Sequence, residues 1–449
     1  MRILRSGTTE FNEALEKIIR RSVMADVPVT QEGMERTRQV FGEPLTPAQV
    51  ADRIISDVRD RGDEALLEYG KKLDGVSFGA PSDLRVSAAE IEDAYSMVKE
   101  SFVSAVRKAK KNIANFQYHI KPSKQAPLRS GGVTIGLEYH ALERVGIYIP
   151  GGQTPYASTV LMNVIPAQVA GVLEAVVCTP PNREGRIAPQ ILVALGELKV
   201  TEIYKLGGAQ AVAAMALGTK TIRSVDKIVG PGNVFVSMAK RQVYGHVDID
   251  MFAGPSEILI LADKSARVEF VAADLLSQAE HAAGTAMLVT DSEGLAGQVI
   301  REIEQQVEAI SHRDMARECL EKYGIIIVAK SIKEGISIAN RIAPEHLAIM
   351  TTNPSEVVPW IRNAGAVFIG PYSPVAVGDY VAGPSHTLPT GGTARFSSGL
   401  SVLDFMKRSS QVSYTKEALQ AHAEALLELA RAEGYDAHAR SVEARLSNR

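Results

Sequence analysis

Apolar residues recur at helical spacing over the first third of the chain and collect into short continuous runs after it. The stretch "TPAQVADRIISDVRDRGDEALLEYGKKLDG" opens on Thr46-Pro47, an N-cap signal with proline at the first helical position. It stops at Gly75, which predicts one helix over this span. "SAAEIEDAYSMVKESFVSAVRKAKKNIANFQ", from Ser87 to Gln117, predicts a second long amphipathic helix. Residues 1–45 read as helical pieces.

From residue 143 short apolar strands alternate with glycine-rich turns and helical stretches: "RVGIYIPGG", "EAVVCTPP", "EIYKLGGAQ" and "KIVGPGN". A second series starts at "SEILILAD" and runs through "AMLVTD", "GIIIVAK", "HLAIM" and "AVFIG". Alternation of this kind predicts βαβ units, so the fold class is α/β with two open sheets in tandem. Residues 371–400 break the rhythm as a long Gly- and Pro-rich loop holding Asp379, His386 and Arg395. Loops of this length inside a compact domain tend to be functional or disordered, and these side chains favour function. Residues 401–449 return to a helical pattern.

Length and charge narrow the class. A chain of 449 residues exceeds one ordinary core, which predicts about two to four domains. A net charge of −3 gives no reason to expect nucleic acid or a membrane as partner, and the basic stretch from Arg107 to Lys111 reads as a solvated helix face. Cys178 and Cys319 are too few for a disulfide framework or a Cys-rich zinc site. The N-terminus lacks the apolar core of a signal peptide, and no run approaches ~18 consecutive apolar residues. The expectation is a soluble, cytoplasmic protein.

Three glycine turns, Pro150-Gly151-Gly152, Gly207-Gly208-Ala209-Gln210 and Gly230-Pro231-Gly232-Asn233, each follow a strand and precede a helix. Such turns bring backbone N–H groups up to a phosphate at a helix N-terminus, but they also serve as plain turn chemistry. Gln278 and His281 in "LSQAEHAAG" stand three apart on a predicted helix and share a face, which reads as a metal pair or as a solvated surface. Glu345 and His346 in "RIAPEHLAIM" are two titratable groups at the start of a buried strand, a cost to be offset by hydrogen bonding or by use in proton transfer. Residues and spacing alone support a nucleotide-binding α/β enzyme.

With "KLGGAQAVAAMALGT", "VDKIVGPGNVFVSMAKRQV", "DIDMFAGPSEILILAD", "ADLLSQAEH", "APEHLAIM", "GDYVAGPSHTLPTGGTARFSSGLSVLDF" and "EGYDAH" in collinear order, the sequence resembles the histidinol dehydrogenases over nearly its whole length. That resemblance implies a zinc-dependent, NAD-linked oxidation of L-histidinol to L-histidine through the aldehyde, in two hydride transfers. It implies His346 as general base and Glu345 as the group that activates water onto the aldehyde. The metal ligands would be Gln278, His281, Asp379 and His438, and Ser256, His386 and Glu433 would line the substrate site with them. Tyr148, Gln210 and Asn233 would contact NAD. The two sheets would be incomplete Rossmann-like units in an intertwined homodimer, the tail with Glu433 and His438 completing the partner's site.

The domains implied are an N-terminal helical extension (1–45) and a metal and substrate domain (46–147 with 256–342 and 388–400). An NAD domain (148–255 with 343–387) and the C-terminal helical tail (401–449) follow. Two departures from the family, Ala282 after the "QAEH" histidine and Ser385 before the loop histidine, touch no ligand position. The same scaffold acting on another small amino alcohol or diol is the nearest alternative. A catalytically silent metabolite-binding protein is a second, disfavoured by the presence of both Glu345 and His346.

Overall fold

Most strands here are unbroken apolar runs, as burial on both faces of a parallel sheet demands. The computed structural model describes residues 1–21, 31–151, 154–252, 254–281 and 284–447; Gly152, Ala282 and part of the N-terminal extension lie outside the described residues. The strands are β1 (Arg2–Arg5), β2 (Leu128–Ser130), β3 (Val133–Ala141), β4 (Arg144–Tyr148), β5 (Glu174–Thr179), β6 (Glu202–Lys205) and β7 (Lys227–Val229). They continue with β8 (Asp248–Ile249), β9 (Glu257–Ala262), β10 (Thr285–Thr290), β11 (Ile325–Val328), β12 (His346–Met350), β13 (Ala366–Ile369) and β14 (Met406–Tyr414).

Two parallel sheets result, one ordered β6-β5-β4-β7-β8 and the other β1-β11-β10-β9-β12-β13. Leaving β1 aside, each runs third, second, first, fourth, fifth in its own chain order, so each reverses direction beside its first strand. The alternation of strand and helix in the sequence therefore predicts the layers correctly.

The grouping of segments differs from the expected domains. β12 pairs with β9, with His346 opposite Ile258, so residues 346–369 belong to the same sheet as 257–328 and not with 148–255. The helices Pro47–Arg61 and Glu100–Ile120 pack their buried faces (Val50, Ile54, Val58; Val103, Val106, Ile113) into the cores under the 144–249 sheet, not with 256–342. Periodicity marks a strand but carries no information on its neighbour.

Several elements depart from the predicted ones, β1 among them as a strand within residues predicted helical. The helix expected over 46–75 begins as predicted, with Thr46 and Gln49 closing a capping box, but breaks at Gly62, whose φ of 55° ends Pro47–Arg61 and restarts the chain at Asp63–Tyr69. The helix over 87–117 is two, Ala88–Ser96 and Glu100–Ile120. The tail is not all helix: β14 pairs antiparallel with β3, Met406 opposite Ala141, in a small sheet with β2. Beyond it, Lys416–Ala432 and Asp436–Leu446 bury only Ala418 and Ala439 and leave Leu429 and Tyr435 exposed. Both cysteines are buried thiols, and burial pushes the Cys178 thiol far up.

Candidate active site

The helix Ile332–Ile342 ends on Ala343, a buried alanine in the left-handed region (φ 52°). That conformation costs a non-glycine residue about 1 kcal/mol, and it turns the chain so that Pro344 and Glu345 lead straight into β12. Glu345 is buried, and its Oε2 accepts hydrogen bonds from Ser256 Oγ at 2.7 Å and from Glu257 N at 2.9 Å. Burial pushes its carboxyl up to about 7 against those two hydrogen bonds. His346 Nδ1 lies 3.1 Å from the Glu257 carbonyl, which can only accept, so Nδ1 carries the proton and Nε2 presents its lone pair. Nε2 is buried without a partner, 3.9 Å from Asp379 Oδ1. Burial holds His346 below the usual imidazole range, Asp379 and the Glu257 carbonyl opposing, so the ring is neutral near pH 7 and free to take a proton.

Around this pair sit most of the other expected residues. Asp379, on the helix Val375–Tyr380, is raised to about 6 by burial, with His346 opposing and Glu345 adding. His386 is locked: Nδ1 donates to the Asp379 carbonyl at 3.0 Å and Nε2 accepts from Thr159 Oγ1 at 3.2 Å, while burial holds it at about 4. Gln278 lies at the C-terminal end of Val268–Ala279, its Oε1 3.5 Å from Ser256 Oγ and its Nε2 buried without a partner. His281 does not share a helix face with it. The helix has ended, and a turn follows in which His281 N donates to the Gln278 carbonyl at 3.1 Å. Burial and then nearby His346 lower the His281 pKa, leaving a neutral imidazole.

Glu433 and His438 do not join them. Both are exposed on the tail, His438 stacked at 5.0 Å against Tyr435. Among the described residues no group of three or more His, Cys, Asp or Glu is gathered closely enough to hold a metal by itself. Within one chain the donors suited to a divalent ion are Gln278, His281 and Asp379. The Gln278 carboxamide oxygen, the His281 imidazole and the half-buried Asp379 carboxylate, with no Lys or Arg paired to it among the described residues, have the chemistry such an ion takes.

The expected dinucleotide residues converge at the opposite kind of place, the carboxyl ends of β4, β6 and β7. Tyr148, Gln210 and Asn233 line one cavity of about 460 Å³ with Asp74, Gly151, Pro180, Gly208 and Phe235. The Tyr148 hydroxyl accepts from Gly208 N at 3.2 Å. Asn233 caps Val234–Val243 through Oδ1, leaving its Nδ2 as a donor. Gly230 has φ 112°, and a Cβ there would lie 2.0 Å from the Tyr148 carbonyl, so only glycine allows this approach. Among the described residues no helix is long and apolar enough to cross a membrane.

Sequence reasoning missed Glu257, Thr159 and Asp74. Glu257 is buried between the catalytic pair and the 371–400 loop. Asp74, which accepts from Gln210 Nε2 at 3.3 Å, lines the 460 Å³ cavity and is held up at about 6 by burial. The one available signal was an acidic residue inside an apolar run, "SEILIL", and "KKLDG" offered nothing beyond a helix end.

The family model described as histidinol dehydrogenase matches residues 43–446. The chain is 50% identical over 394 residues to the histidinol dehydrogenase of Geobacillus kaustophilus, covering 88% of this chain and 92% of that one. To that of Bacillus cereus (strain ATCC 14579) it is 46% identical over 439 residues, 97% of each. Among solved structures, the histidinol dehydrogenase of Elizabethkingia anophelis superposes with a TM-score of 0.90 at 37% identity, over 99% of this chain and 98% of that one.

Proposed function

Since the chain belongs to the histidinol dehydrogenase family, we propose that it oxidises L-histidinol to L-histidine through L-histidinaldehyde, passing two hydrides to NAD in cytoplasmic histidine biosynthesis. The reading is carried by the catalytic pair: a neutral, unpartnered His346 Nε2 next to a buried Glu345 that Ser256 and Glu257 hold in place. In the first oxidation His346 Nε2 takes the alcohol proton as the carbinol carbon gives a hydride to NAD. The aldehyde cannot become an acid without another oxygen. Glu345 takes a proton from water as the water oxygen bonds to the aldehyde carbon, and the former carbonyl oxygen takes back the proton held on His346, leaving that ring neutral again. The hydrate then loses a proton to His346 and a hydride to a second NAD, giving the carboxylic acid.

Gln278, His281 and Asp379 would hold a zinc ion, with His438 from a partner subunit as fourth ligand. The exposed tail and the incomplete set in one chain support that exchange. When bound, zinc supplies Lewis-acid polarisation of the substrate oxygen and an anchor for its amine and imidazole. Ser256, His386 and Glu433 of a partner would orient the substrate. Tyr148, Gln210 and Asn233 would bind NAD, and the shared order of the two sheets supports reading them as incomplete Rossmann-like units.

The test is the yield of NADH per L-histidinol run to completion. Two NADH with histidine as product is expected. One NADH with accumulating aldehyde overturns the role of Glu345, and turnover of another amino alcohol or diol alone overturns the substrate. Mixing Glu345→Gln and His438→Ala chains, each unable to form histidine at an appreciable rate, should restore about a quarter of wild-type histidine formation if the tail acts in trans in a two-fold dimer.

A further inference from the structure

Glu257 is the first residue of β9 and touches more of the site than any residue expected to act there. Its N–H donates to Glu345 Oε2 at 2.9 Å and its carbonyl accepts from His346 Nδ1 at 3.1 Å, so its backbone holds both members of the catalytic pair. Its carboxylate accepts the Glu345 N–H on one side and reaches the loop on the other. Oε1 accepts from Gly391 N at 2.9 Å, and the carboxylate also takes the Gly392 N–H. Gly391 and Gly392 have φ of 61° and 72°, a pair of left-handed residues that aims both N–H groups at one anion.

A second tie lies beside it, Gly254 N donating to Thr390 Oγ1. Upstream, the same loop is fastened to the other sheet's helix Ala157–Ala170: Ser385 Oγ to the Met162 carbonyl at 3.1 Å, Asn163 Nδ2 to Thr387 Oγ1 at 3.2 Å. Asp379 and His386 ride on this segment.

We propose that Glu257 is a positioning residue whose carboxylate latches the Thr390–Gly392 turn to the strand that holds Glu345 and His346, setting the loop's Asp379 and His386 in register with them. The proposal rests on the reading of the catalytic pair given above. Burial and the neighbouring Glu345 raise the Glu257 carboxyl to about 7, opposed by the loop N–H groups. A buried carboxylate in that position is kept at a cost, and the N–H groups of Gly391, Gly392 and Glu345 offset it.

The test compares Glu257→Ala and Glu257→Gln by amide hydrogen exchange without substrate and by steady-state kinetics on histidinol and histidinaldehyde. In the alanine variant, exchange at Gly391 and Gly392 should rise at least about 10-fold, as expected for loss of one or two hydrogen bonds. kcat on both substrates should fall on the order of 10-fold or more, with KM for NAD unchanged. The glutamine variant keeps Oε1 as acceptor and should recover both within a few-fold. Should the alanine variant fail to fold, Thr390→Val cuts the neighbouring tie and should show the same signature, smaller. Unchanged exchange in the alanine variant, or a loosened turn with unaltered kcat, overturns the latch. So does a glutamine variant that keeps the turn protected yet is as slow as alanine. Because exchange is read without substrate, it tests the latch even if wild-type protein fails to oxidise histidinol, which would instead overturn the function.

Discussion

The two parallel sheets have the same strand order and use opposite edges. In the β4–β8 sheet the cavity lies outside the carboxyl ends, lined by Gly151, Gly208 and the capped helix start at Asn233; ligands of open α/β sheets ordinarily bind there. In the other sheet the chemistry sits at the amino ends: Ser256 precedes β9, His346 opens β12, and Gln278 and His281 precede β10. The carboxyl edge offers a cavity walled by turns and helix starts. The amino edge offers strand-start side chains held by their neighbours' backbone, suited to groups that must not move while protons do. The 385–387 segment joins the two edges through Thr159, Met162 and Asn163.

If the division of labour is real, damage at one edge should leave the other intact. His346→Asn should lower kcat for both oxidations by about 10²–10⁴-fold, the range for loss of a general base. NAD binding, followed by calorimetry, should stay within a few-fold of wild type; a matching loss of NAD affinity breaks the comparison. Removing metal with a chelator should abolish turnover and leave NAD binding in place, with zinc restoring activity.

Glu345→Gln should slow only the second oxidation, by about 10²-fold or more, so that the NADH yield drops from two toward one. The same step should depend on pH. Glu345 must be ionised to take a proton from water, and its pKa is raised to about 7, so kcat/KM on histidinaldehyde should climb as pH rises through about 7 and level off above it. The glutamine variant should lack that rise. At the cofactor edge the effect is smallest: Tyr148→Phe removes one hydrogen bond worth about 1 kcal/mol and should raise KM for NAD about 5-fold with kcat unchanged.

The contrast also explains what could be read beforehand. Glycine turns announce the carboxyl edge because Gly230 has no substitute at its φ, and Glu345-His346 announced the amino edge because charge inside "APEHLAIM" is expensive. Glu257 occupies an equivalent position in "GPSEILIL" and went unread, since its role depends on Gly391, more than a hundred residues away, and no local pattern encodes that. β3 was missed for a related reason. "VTIGLEYHA" buries neither face fully and pairs with a segment near the far end of the chain. The break at Gly62 was hidden because isolated glycine inside a helical pattern is tolerated in many helices.

β1 holds a last consequence. Residues 2–5 form the outermost strand beside β11, Arg2 opposite Ile325 and Arg5 opposite Val328. The strands of the β4–β8 sheet all lie within residues 144–249, so that sheet can close while the remainder is still being synthesised. Residues 2–5 must instead wait for a partner made over three hundred residues later. Biosynthesis thus leaves one strand unpaired for most of the chain's growth, and a nascent chain stalled before β11 would carry it as a ready template for wrong pairing.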